Sequence, residues 1–116
     1  MRVISQDGTM DFPYEISTIF IYPSIENVIA IQSAGDSEFS IIGRYSSKAN
    51  AIKAMEMLRE QYGKLEVMKV LASGTAEYME KALATDEMIK HYNTYCDMNV
   101  FQFPQDEDVE INNGLE

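Results

Sequence analysis

Few residues in this chain are of types that do chemistry. His91 is the only histidine and Cys96 the only cysteine, five positions apart. A thiolate–imidazole pair needs both groups in contact and a third side chain to orient the ring. No such third group stands out, so no catalytic role is expected of either. Zinc needs three or four ligands, and only these two lie close together. The run "QDEDVE" is acidic but lacks the alternating ligands and central glycine of a calcium loop. The six glycines are scattered, with Gly43, Gly63 and Gly74 suited to strand and helix ends, so a phosphate loop is absent. Asp7 and Asp11 bracket a turn, where aspartate serves the backbone. Non-enzymatic function is the expectation.

What remains is suited to binding. Arginines stand at positions 2, 44 and 59. Arg59 lies within a helical pattern, where it either snorkels over the core and pairs with Glu56 or Glu60, or presents a bidentate fork to a phosphate. Arg44 ends a strand-like run just before that helix. Phe101 and Phe103 alternate with Gln102, and either pack as a core strand or stack on a base.

The elements that would position these residues follow from periodicity. "RVIS", the turn signal Asp7-Gly8, "TMDFPYE", "STIFIYP", "NVIAIQS" and "EFSIIGRY" predict four or five antiparallel strands in the first 45 residues. Both faces of residues 27–33 are largely apolar, which predicts a central strand covered on two sides. Ser46 or Ser47 caps a helix running to about Tyr62, with Gly63 as its stop. Ala51, Met55, Leu58 and Tyr62 share its core face. A second region, residues 66–95, begins as either a strand or a short helix, is interrupted at Gly74, and offers Thr75 as the cap of a further helix with a short apolar stripe. "NVFQFP" is a late strand that rejoins the sheet or a partner. The predicted fold is α+β: an N-terminal antiparallel sheet packed by helices, as one domain over 1–104. Residues 105–116, with five acids and no base, read as a solvated acidic tail.

The 116 residues allow one core, and eight methionines with no tryptophan favour gaining stability by association. Nineteen acids against nine bases give a net charge of −10, which disfavours nucleic-acid polymers and anionic membranes as partners. A small anion is not excluded, since a local arginine outweighs screened, distant charge. A lone cysteine suits a reducing compartment, and no signal peptide or membrane span is evident, so a cytoplasmic location is expected.

Taken together, "MRVISQDGTMDFPYE", "RYSSKANAIKAMEMLREQY" and "VFQFPQDEDVE" resemble the Thoeris anti-defence sponge family, small proteins of phages and mobile elements of Gram-positive bacteria. Residues 64–98 are not covered by the likeness. It implies a symmetric homo-oligomer that holds a cyclic ADP-ribose isomer, and in some members cyclic oligonucleotides, without turnover and without a cofactor. By the same resemblance Arg59, Phe101, Gln102 and Phe103 fall where the family contacts its nucleotide. No arginine follows Arg59, so a C-terminal phosphate contact of the family is missing. The alternative is an acidic protein whose tail docks on a basic host protein and inhibits it.

Overall fold

The structure, a computed structural model, describes residues 1–74, 94 and 96–109. It begins with β1 (Arg2–Ile4), which the Asp7-Gly8 turn folds back onto β2 (Asp11–Pro13) in antiparallel register, Val3 opposite Phe12. Gly8 sits at φ +76°, a conformation that a side chain resists. Asp7 Oδ1 fixes the turn by accepting from the Ser5 hydroxyl at 2.7 Å, the Thr9 hydroxyl at 2.7 Å and the Thr9 N–H at 3.0 Å. On its other side β1 takes β6 (Val100–Gln102) in parallel, Val3 opposite Phe101. The late strand therefore rejoins the fold through the first one.

β3 (Ser17–Ile21), β4 (Val28–Ser33) and β5 (Ser40–Arg44) form a second, antiparallel sheet in that order. The α+β class holds, and five strands precede the helix. They do not form one sheet as expected: β1 and β2 join the late strand β6 in one three-stranded sheet, and β3, β4 and β5 make the other. The cause is local. A single 3-10 turn, Tyr14–Ile16, separates β2 from β3, and the two strands are not paired with each other. β4 is the central strand that its two apolar faces predicted, with Val28, Ile29, Ala30 and Ile31 all buried.

Helix α1 (Lys48–Gly74) starts where Ser47 Oγ accepts the Asn50 N–H at 3.1 Å, an N-cap. Ala51, Ala54 and Leu58 enter one core with Val3, Ile29, Ile31, Ile42, Phe101 and Phe103. Gly63 is not the stop that was expected. Its φ is not positive, and the helix continues through it. Leu65, completely buried one half-turn later, explains the continuation. Burying it contributes about 1.5–3 kcal/mol, against about 1 kcal/mol lost to a mid-helix glycine.

The acidic tail is also shorter than expected. Residues 105–109 belong to the domain, because Asp106–Asp108 form a 3-10 turn and Val109 is buried in the core cluster. Truncating Phe103, one of the largest fully buried side chains, should cost about 3–5 kcal/mol of unfolding free energy. Urea denaturation of Phe103→Ala against wild type measures it.

Candidate functional site

The two sheets meet where the chain leaves β1 and runs beside β5. The Gln6 N–H donates to the Ile42 carbonyl at 2.8 Å, and Gln6 Oε1 accepts the Arg44 N–H at 2.8 Å. Opposite β4 the register passes from Gly43 to Ile41, which bulges Ile42 out of the ladder and into the core. After the bulge Arg44 stands opposite Val28, on the sheet face away from Ile29 and its core partners.

A cleft of about 190 Å³ opens at this seam, lined by Gln6, Asp7, Ile41, Ile42, Gly43 and Arg44. Its polar backing is fully committed. Gln6 Nε2 and the Tyr45 hydroxyl both donate to the Pro104 carbonyl, at 3.2 and 2.8 Å, and Gln105 Nε2 donates to the Gln6 carbonyl at 2.7 Å. Burial, and after it the charge of Asp106, pushes the Tyr45 phenol well above its usual range, so it stays protonated. Asp7 is held at about 2, chiefly by the Ser5 hydroxyl and then by Thr9, and it keeps its charge at the cleft wall.

Arg44 is exposed, and among the described residues its guanidinium has no carboxylate within ion-pair distance. Arg2, by contrast, is bound to Asp11 at 2.8 Å. Arg59 is exposed on α1 and likewise has no such partner; of Glu56 and Glu60, the two acids offered as its partners, Glu56 faces Lys53 at 3.8 Å and Glu60 forms no ion pair among the described residues. It does not line the cleft. The sequence-predicted residues thus do not converge on one site.

Phe101 and Phe103 are corrected outright as stacking surfaces. They are 6% and 1% exposed, and their rings meet edge to face at 5.2 Å inside the core. A parallel partner on one side and α1 residues in the same cluster leave no ring face for a base. Gln102 points outward between them and reaches the Ser5 carbonyl at 3.4 Å, where it braces the Asp7-Gly8 turn. Cys96 is exposed, and His91 lies outside the described residues.

Gln6 went unremarked in the sequence, since a polar residue after a strand carries no signal of four separate hydrogen bonds. Asp106 was likewise hidden inside an acidic run. Its Oδ1 accepts the Asn50 side-chain amide at 2.9 Å, the Ser46 N–H at 2.9 Å and the Ser46 hydroxyl at 3.2 Å, anchoring the C-terminal segment to the start of α1. No protein-family model, curated protein or solved structure matches the chain.

The Asn50 amide, followed by the Ser46 N–H and hydroxyl, holds the Asp106 carboxyl below its ordinary 3.8. A lowered native pKa stabilises the fold above the ordinary value and loses that contribution as pH falls through the native one. The anchor should therefore be intact at neutral pH and release in acid, below 3.8. The Ser46 amide proton shift, followed by NMR, should titrate in that window in wild type. In Asp106→Asn that titration should vanish.

Proposed function

We propose that the protein binds and sequesters a small cyclic nucleotide immune signal, a cyclic ADP-ribose isomer or a cyclic oligonucleotide, without turning it over. On this reading it is a phage anti-defence protein acting in the host cytoplasm. The observation that carries the reading is the state of Arg44. In a chain with nineteen acids, and among the described residues, it has no ion-pair partner at the edge of a cleft where Gln6 is fully hydrogen-bonded and Asp7 is engaged with its own turn. A guanidinium left without a carboxylate on an acidic protein is available to a phosphate, which it grips with two parallel hydrogen bonds.

The size of the cleft limits how the ligand sits. Ligand sites usually enclose about 300–1,000 Å³, and this one holds about 190 Å³. A phosphate and part of a ribose fill it, and the rest of the nucleotide lies over the neighbouring sheet face. Arg59, outside the cleft, makes a second contact only if the ligand or an associated subunit brings phosphate to the helix. Asp106 is tied up at the helix start, so the competing picture of a free acidic tail loses one of its acids. No helix among the described residues is long and apolar enough to cross a membrane.

Two measurements test this. Protein incubated with a cyclic ADP-ribose isomer and then heat-denatured should release the ligand intact; a converted product would mean an enzyme, and no uptake would sink the reading. By calorimetry Arg44→Ala should bind at least about tenfold more weakly, as expected for charge-assisted bonds of about 1.5–3 kcal/mol. Arg59→Ala should lose less. Arg44→Lys should fall between wild type and Arg44→Ala, because lysine keeps the charge but not the fork.

A further inference from the structure

The outward backbone of an edge strand is a template for pairing, and proteins ordinarily block it. Among the described residues, three of the four rims of the two sheets are blocked. β2 is three residues long and ends on Pro13. The outer carbonyls at β6 are taken by Gln61, whose amide donates to Met98 at 3.0 Å and Val100 at 2.8 Å. β5 is covered by Gln6. Among the described residues β3 has no such device. It is five residues long and, among the described residues, pairs with β4 alone.

Its exposed groups follow from the register. Ala34 donates to Ile16 and Tyr22 to Val28, so the even-numbered residues between them bond toward β4. The N–H and C=O groups of Ile19 and Ile21 therefore face away from the sheet. No charged residue occurs between Glu15 and Glu26. Ile16, Ile25 and Phe39, which are 56%, 48% and 41% exposed, gather around this rim. Phe39 lies against Phe20 and Tyr22, with ring centroids at 5.8 and 5.1 Å.

We propose that β3 pairs antiparallel with β3 of a second copy about a two-fold axis, joining the two three-stranded sheets into one of six strands. Charge argues for that occupant. Two chains of net charge −10 repel, so they meet best through a segment without charge. A basic partner has nothing to pair with here. The pairing is also self-complementary. Centred on Ile19, it sets Ser17 opposite the partner's Ile21 and Ile16 over the partner's Tyr22. Each Glu15 falls opposite the partner's Pro23, with the two glutamates at opposite ends of the ribbon.

Thr18 is exposed on the face that carries Phe20, and in this register the two copies of Thr18 are diagonal neighbours. Light scattering on the whole chain at micromolar concentration should give about twice the 13.2 kDa chain mass. Thr18→Glu and Thr18→Lys should each give the single-chain mass, and mixing the two variants should restore the dimer. Val67→Glu, at an exposed helix position remote from β3 in sequence, should remain dimeric. Hydrogen exchange of wild type adds a readout that needs no variant: the Ile19 and Ile21 amides should exchange more slowly as concentration rises. A monomeric wild type, an unaffected Thr18→Glu dimer, dissociation by Val67→Glu, or exchange at Ile19 and Ile21 independent of concentration would each overturn the proposal.

Discussion

Gln6 is the residue on which the two sheets and the C-terminal segment all depend. Its N–H and side-chain oxygen bind β5, its side-chain nitrogen binds Pro104, and its carbonyl receives Gln105. β1 is only three residues long and already pairs on both sides. It could not also hold the second sheet unless the chain beyond it did so. A leucine at this position would remove both side-chain bonds, leaving the exposed Arg44 N–H to water and the Pro104 carbonyl to the Tyr45 hydroxyl alone. The cleft exists because this clasp draws the Asp7 turn against β5 without filling the space between them.

Much of the fold was legible because it rests on local rules. The Asp7-Gly8 turn, the doubly apolar β4 and a serine cap at Ser46 or Ser47, which the structure places at Ser47, each declare themselves within a few residues. The split into two sheets was not legible, since it depends on which strand edges meet, and residues far apart in sequence decide that. Gly63 misled for a related reason. Glycine ends a helix when nothing beyond it needs burying, and Leu65 does need burying. The site was read less well than the fold. Arg44 drew notice because its type is rare here, whereas Phe101 and Phe103 alternate with Gln102 in a way that fits a core strand and a stacking platform equally. Only the position of β6 against β1 separates the two.

Charge organises the surface more than the interior. The described ion pairs are mostly exposed or between near neighbours in the chain, such as Lys53–Glu56 and Lys69–Glu66, and pairs of this kind contribute little to stability. The exception in character is the N-terminus, whose ammonium group is bound by both oxygens of Glu15, at 2.9 and 2.7 Å, while the Met1 side chain is covered. That contact lowers the Glu15 pKa and pins the chain start beside the 3-10 turn that leads into β3. Thus the acid nearest to the uncharged rim is already neutralised by its own chain, which leaves the rim electrically quiet.

The cleft and the rim at β3 lie on opposite edges of the same three-stranded sheet, one beside β5 and the other at β3. That separation has a physical consequence. Antiparallel strands across a ladder share one twist, so extending the sheet at β3 constrains β4 and, through it, β5 with its bulge at Ile42. The bulge sets the direction of Arg44, because one residue more or less in β5 would turn that guanidinium to the opposite face. Joining two sheets edge to edge would therefore stiffen the strand that aims the arginine while leaving both clefts open at the outer ends of the six-stranded sheet. The proposed pairing at β3 and the proposed anion capture beside β5 are compatible for that reason, since they use opposite sides of the sheet.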